Sequence, residues 1–141
     1  MDYRLELVLL PVADVDRAKD FYVNTVGFNL DVDHQPNEDF RVVQMTPPGS
    51  DCSITVGIGI GINDVQPGSY RGLHLVVADI EAARQELVGR GVEVSEIRHM
   101  SPQGWKPGPD REHTDYNSFA DFADPDGNTW ILQERRGKAG D

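Results

Sequence analysis

One cysteine, Cys52, occurs in 141 residues, so no disulfide can close within the chain. A lone thiol points to a reducing compartment. Cys52 itself reads as a small apolar packing residue, because no signature places a histidine base beside it. No apolar run approaches the roughly 20 residues needed to cross a bilayer. The start, "MDYRLELVLLPV", lacks the basic opening, long apolar stretch and small-residue cleavage site of a secretory signal. The expected location is the cytoplasm. Positive charge is also scarce: 13 Lys and Arg against 24 Asp and Glu give a net charge of −11, which repels phosphate backbones and anionic membranes. Neither is an expected partner, and the acidic excess, spread along the chain, reads as a solvated surface. Phosphate-loop spacings are missing, for "GIGIGI" at 57–62 fits neither GxGxxG nor GxxxxGK[ST]. Alternating glycines in a strand instead mark close backbone packing, or a ligand approaching that face.

What the sequence does contain is a repeat. An offset of 65 residues lays Val12-Ala13-Asp14-Val15-Asp16 over Val77-Ala78-Asp79-Ile80-Glu81, and Ala18 over Ala83. In each copy an apolar strand precedes the aspartate and an amphipathic helix follows it, which makes Asp14 and Asp79 N-caps. The periodicity predicts helices over 15–25 and 80–89, ending near Gly27 and near Gly89 and Gly91. Three strands are expected after each helix: 28–33, 40–45 and 53–60 in the first half, then 92–97, 118–123 and 129–133 in the second. The turns "TPPGSD" at 46–51 and "DPDGN" at 124–128 correspond. Asp124 is expected to bond locally to the turn's backbone, a structural role, with Asp121 flanking it. Each half is thus β-α-β-β-β, with 62–72 as the linker. The stretch 98–117 is longer than ordinary connections, and with Trp105 and Tyr116 it reads as a loop that packs on something, a lid or a subunit contact.

Two such units, the phrase "VADVDRAKDFYVNTVGF" and the late "DPDGNTWILQE" resemble the vicinal oxygen chelate superfamily of glyoxalase I, bleomycin-resistance proteins and extradiol dioxygenases. The likeness spans about residues 3–135. It implies an α+β fold of two βαβββ modules in one domain, about 3–62 and 70–135, forming a curved mixed sheet around a cavity, and commonly a homodimer. In the metal-dependent branches of this family, His, Gln or Glu ligands come from the first and last strands of each module. Carried over through the capping aspartates and "DPDGN", those positions are Leu7, Gly72, Ile131 and Ile54, or Ser53 with the gap placed differently. None of these is an imidazole, carboxylate or thiolate donor.

Strand alternation places His74, two after Gly72, and Gln133, two after Ile131, toward the same cavity, with Glu6 and Glu134 facing away. One imidazole and one amide fall short of a three-ligand site. His34, His99 and His113 lie in other segments, and no two histidines have the spacing of a known metal motif. The resulting expectation is a protein that binds a small organic molecule without cofactor or metal. His74, Gln133, Trp105 and Tyr116 are its ligand contacts, and a neutral or cationic ligand suits the charge. The alternative is a glyoxalase-, dioxygenase- or isomerase-type enzyme with displaced metal ligands or His74 as general base. An interaction module with its cavity filled by side chains is a third reading.

Overall fold

The computed structural model describes residues 1–136. By spatial contact the chain divides into two units. The first holds Met1–Tyr70 together with Asp124–Asn128, and the second holds Arg71–Ala123 and the chain from Thr129 onward.

In the first unit β1 (Leu7–Leu9) leads to α1 (Val15–Lys19), followed by a π-helical turn over Asp20–Val26, then β2 (Asn29–Asn37), β3 (Phe40–Thr46) and β4 (Ser53–Ile58). Asp14 caps α1 as its spacing requires, its side chain accepting from the Arg17 N–H at 3.1 Å. The helix does not stay α-helical to residue 25. The Tyr22 carbonyl accepts from both Gly27 (3.0 Å) and Phe28 (2.8 Å), which widens the last turns, and Gly27 closes them in the left-handed region at φ 99°. The sheet order is β1-β4-β3-β2, with β1 parallel to β4 and the other pairs antiparallel. Its core is Leu10, Val15, Ala18, Tyr22, Phe28, Val43, Met45, Ile54 and Val56.

The glycine alternation at 57–62 follows the packing reading. A Cβ on Gly57 would lie 2.0 Å from the Arg41 carbonyl oxygen, and one on Gly59 2.4 Å from that of Asp39. The backbone of β3 and of Asp39 just before it occupies the space a side chain would need at these two positions, whereas a Cβ on Gly61 would meet nothing within 4 Å.

Arg41, mostly covered, ties β3 to β2 and to α1. It donates to both oxygens of Asp33 (3.1 and 3.0 Å) and to Asp16 (2.7 Å), while Lys19 reaches Asp33 at 2.7 Å. The hydrogen bonds from Arg41 first, and from Lys19 second, lower the Asp33 carboxyl from its usual 3.8 to about 2. A depressed folded-state value means that the stabilisation is complete above pH 4 and disappears as pH falls through 2. The stability difference between the native chain and Asp33→Asn, measured by thermal melts, is expected to be constant from pH 7 to about 5, to shrink as pH falls through 4 and to be lost only below about pH 2. A difference unchanged across that window would show that Asp33 carries no such linkage.

The second unit repeats the plan with an addition. β5 (Leu73–Val77) and α2 (Ile80–Gly89) are followed by β6 (Arg98–Ser101), β7 (Gly104–Pro107), β8 (Phe119–Ala123) and β9 (Thr129–Glu134), in the order β5-β9-β8-β6-β7. As in the first unit, the opening strand is parallel to the last one. The strand expected over 92–97 is not formed. Arg84 takes the carbonyls of Ser95 (2.8 Å) and Val94 (3.2 Å), while a single backbone bond from the Ser95 N–H to the Asp121 carbonyl (2.9 Å) ties the segment to β8 without extending into a ladder. The strand after α2 begins at Arg98 instead. It pairs with β7 through a tight turn closed by Gly104 at φ 102°, so part of the expected long loop is a hairpin. α2 contacts β8 and β9. Ile80, Leu87, Val92, Ile97, Ala120, Phe122, Trp130 and Leu132 form the core, with Phe122 and Trp130 stacked at 6.2 Å.

Candidate functional site

Register divides the second sheet into two faces. On β9, Trp130, Leu132 and Glu134 are buried, while Thr129, Ile131 and Gln133 are only half covered. Phe119 lies opposite Gln133, and Asp121 opposite Ile131. His74 pairs with Ile131, and Val76 with Gln133. Arg98 pairs with Phe119, and Met100 with Trp105. Side chains directly opposite each other, or two apart on one strand, share a face. The half-open face therefore runs from His74 and Val76 on β5, through Ile131 and Gln133, to Phe119 and Asp121, then Arg98 and Trp105. Four strand spacings make it roughly 20 Å wide.

At the β7 edge, Trp105 is 53% exposed and meets Phe119 edge to face at 5.5 Å. Arg98 forms a paired contact with Asp121 (3.1 Å on each arm), and its guanidinium carbon lies 5.4 Å from the Trp105 ring and 5.9 Å from that of Phe119. The result is a flat, polarisable surface whose one cation is already neutralised.

At the β5 edge, His74 is exposed, with Nδ1 at 2.6 Å from the Gly72 carbonyl. Gln133 donates its amide to the Tyr116 carbonyl at 3.0 Å. Tyr116 is 45% exposed. Its ring carries the Arg135 guanidinium at 5.4 Å, and Tyr116 contributes its backbone to this region. His74 and Gln133 thus share a face on adjacent strands, two residues out of register, Tyr116 adjoins Gln133, and Trp105 lies at the far edge. Phe119, Arg98 and Asp121 complete the face, and sequence reasoning did not select them. Alternation groups Phe119 with Asp121 and Ala123 on its strand, and only the register with Gln133 shows which face they share.

The loop between β7 and β8 is held from behind. Glu134, fully buried on the helix side, accepts from the Ile80 N–H that opens α2 (3.0 Å) and from His113 Nδ1 (2.7 Å). Its backbone carbonyl accepts from the Tyr116 N–H at 2.7 Å. His113 and Tyr116 have positive φ values of 50° and 65°, which residues with side chains adopt only when held there. Asp110 collects the N–H groups of Glu112 (3.2 Å) and Thr114 (3.1 Å), and hydrogen bonding from Thr114 first holds its carboxyl below the usual value. The segment is an internally bonded structure that presents the Tyr116 carbonyl to Gln133.

The positions where the resemblance would place metal ligands have a definite geometry as well. A Cβ on Gly72 would sit 3.9 Å from Ile131 Cδ1, so these two positions are neighbours in the second unit. In the first, Leu7 is half-buried and Ile54 is in the core, while the Ser53 hydroxyl bonds to Gln44 (3.3 Å) and Thr46 (2.6 Å). Among the described residues no three His, Cys, Asp or Glu side chains converge as a metal would require. Among them, too, no helix is long and apolar enough to cross a membrane.

Comparison with known proteins adds four lines of likeness. A family model described as the glyoxalase/bleomycin resistance protein/dioxygenase superfamily matches residues 4–132. The chain is similar to the solved structure of TnmS3, an antibiotic binding protein from Streptomyces sp. CB03234, at 37% identity over 94% of this chain and 96% of that one, with a TM-score of 0.72. A glyoxalase/bleomycin resistance protein from the same organism is 38% identical over 90% and 96% of the two chains, with a TM-score of 0.68. A superfamily member from Sphaerobacter thermophilus DSM 20745 is 32% identical over 95% and 98%, with a TM-score of 0.73. A search of curated proteins gave no match.

Proposed function

Because the chain belongs to the glyoxalase/bleomycin resistance protein/dioxygenase superfamily, we propose that it binds and sequesters a small organic compound without a metal, using the half-open face of its second sheet. The observation that carries this reading is Trp105. A large aromatic left half exposed on a sheet face, backed by Phe119 and by an already neutralised Arg98, is the kind of apolar surface that takes a flat ligand. The likeness to an antibiotic binding protein along nearly the whole chain supports it.

The residues at the family's metal positions do not fit a divalent cation. Leu7, Gly72, Ile54 and Ile131 have no donor side chain, and Ser53 offers a neutral hydroxyl already engaged by its neighbours. A second reading retains an enzyme, because the imidazole of His74 has its Nδ1 engaged by Gly72 and could present Nε2 as a base.

Elemental analysis of purified protein and thermal melts with and without a chelator test the first reading. The expected result is no stoichiometric metal and a melting temperature shifted by less than about 1 °C. Stoichiometric metal lost on His74→Ala or Gln133→Ala would overturn it in favour of the enzyme reading. A compound from a metabolite and antibiotic panel present at 100 times its Kd is expected to stabilise the fold by about 2.7 kcal/mol.

The same proposal includes a homodimer in the cytoplasm. Tyr3 and Leu5, 91% and 71% exposed, extend the line of the edge strand β1 as apolar positions on alternate residues, a surface that a second copy would cover. The single free thiol accords with a reducing compartment.

A further inference from the structure

We infer that Arg135 holds a carboxylate of the ligand at the β5 end of this face, so that the ligand class is an aromatic acid whose ring rests on Phe119 and Trp105. The inference rests on the proposed small-molecule binding at this face and adds the charged group by which the ligand is held.

Arg135 lies on the binding face although β9 ends one residue before it. Its N–H donates to the Val77 carbonyl at 2.9 Å, which carries the pairing with β5 one step further. Strand alternation then puts Arg135, two after Gln133, on the half-open side with Gln133 and Ile131. The guanidinium carbon lies 5.4 Å from the centre of the Tyr116 ring, and the Tyr116 carbonyl accepts the Gln133 amide. Tyr116, Gln133 and Arg135 therefore form one contiguous corner of the second unit.

What sets Arg135 apart is its lack of an acceptor. Three other arginines among the described residues are half-covered, and each is engaged: Arg41 by Asp33 and Asp16, Arg84 by the Val94 and Ser95 carbonyls, Arg98 by both oxygens of Asp121. Arg135 has only the Tyr116 ring, and its Nε is buried with no hydrogen-bond partner. Buried donors in folded proteins are nearly always satisfied. A guanidinium stacked on a ring uses its face and keeps its N–H groups, which point outward in its own plane, for a planar acceptor. A carboxylate matches that fork with its two oxygens. Gln133 adds a donor to the same corner, since its amide nitrogen keeps a second hydrogen after the bond to Tyr116.

The chain's charge of −11, which taken alone suits a neutral or cationic ligand, acts through carboxylates that salt screens beyond about 8–10 Å. At contact distance local pairing decides, and the Asp121 carboxylate on this face is already spent on Arg98. The spacing fits a small acid. Phe119 faces Gln133 across the β8–β9 pair, so Arg135 is its diagonal neighbour, roughly 7–8 Å away and within reach of a long side chain. A fused bicyclic ring on Phe119 and Trp105 brings a carboxylate attached to it onto the guanidinium.

Calorimetric titration with 2-naphthoate and its neutral analogue 2-naphthamide at neutral pH gives the test. The acid is expected to bind at least about tenfold more tightly than the amide, the size of a charge-assisted bond over a neutral one. In Arg135→Gln that ratio is expected to fall to about one, whereas Arg135→Lys, which keeps the charge and loses the fork, holds it at about threefold. Both variants keep the backbone bond to Val77, and their thermal melts are expected to stay close to that of the native chain. A ratio near one in the native chain, or a tenfold ratio that survives Arg135→Gln, overturns the carboxylate site while leaving small-molecule binding intact. Trp105→Ala is expected to weaken both compounds and preserve their ratio, and no weakening of either overturns the binding face instead. Binding of neither compound by the native chain at about 1 mM overturns the aromatic acid as the ligand class.

Discussion

Asp124→Ala is expected to cost about 3–5 kcal/mol, because five donors lose one acceptor group at once. Oδ1 accepts from the backbone N–H groups of Asp126 (2.9 Å), Gly127 (2.9 Å) and Asn128 (3.0 Å). Oδ2 accepts from the buried Tyr22 hydroxyl at 2.7 Å and from the Asn128 amide at 2.9 Å. The carboxylate is buried, so water cannot replace these bonds without opening the turn. For a chain of this length the loss corresponds to a fall in melting temperature of at least about 10 °C. Tyr22→Phe, which removes one of the five bonds and no packing volume, should cost only about 1 kcal/mol. Thermal or urea melts of the two variants side by side make the comparison. If Asp124→Ala is no worse than Tyr22→Phe, the carboxylate is not the centre of this network.

The second large effect is on binding. Trp105→Ala should weaken the affinity for whichever panel compound stabilises the protein by about 30- to 100-fold, the usual cost of removing an aromatic anchor, or about 2–3 kcal/mol. The fold should lose less than about 1 kcal/mol, because half of the ring is already in water and its main partner, Phe119, stays in place. Calorimetric titration of the native chain, Trp105→Phe and Trp105→Ala is expected to rank them in that order of affinity. Affinity unchanged in the alanine variant would move the site off this face.

The two readings of the chain, from sequence and in three dimensions, agree where one residue acts alone and diverge where several share a task. Asp14 and Asp79 could be recognised as caps because an N-cap needs only its own side chain and the next turn, and Asp79 accepts from Ala82 at 3.1 Å as Asp14 does from Arg17. His74 and Gln133 fall on one face because strand alternation is strict, and the count of two from Gly72 and from Ile131 survives any error in strand ends. The missing strand at 92–97 could not be read this way. Its carbonyls at Val94 and Ser95 go to Arg84, ten and eleven residues earlier, and the Ser95 hydroxyl takes the Asp121 N–H, so side chains distant in sequence share bonds that a ladder would otherwise use. The β6–β7 hairpin was hidden in a polar stretch whose alternation is weak. The pairing of Arg98 with Asp121 depends on a register set by a single bridge between β6 and β8, so no local pattern announces it. Tyr116 was selected for its ring, yet its carbonyl is what adjoins Gln133.

The DPDGN turn has a consequence for how this chain can be taken apart. Its five residues group with the first unit, where Asp126 Oδ1 accepts from the Ala13 N–H (3.1 Å) and from Arg17 (2.9 Å), and Asn128 donates to the Pro11 carbonyl at 2.9 Å. Gly68 is pressed against the same turn, so closely that a Cβ there would lie 1.9 Å from the Asp126 carbonyl oxygen. The duplication visible in the sequence therefore no longer marks a seam. A fragment ending at Tyr70 would carry a complete β-α-β-β-β unit and still lose the Asp124 acceptor of the buried Tyr22 hydroxyl, the Asp126 acceptor of the Ala13 N–H and the Asn128 donor to the Pro11 carbonyl, which would keep only Gly68. The first half of the gene encodes the repeat, but the unit that folds from it borrows its closing turn from the second.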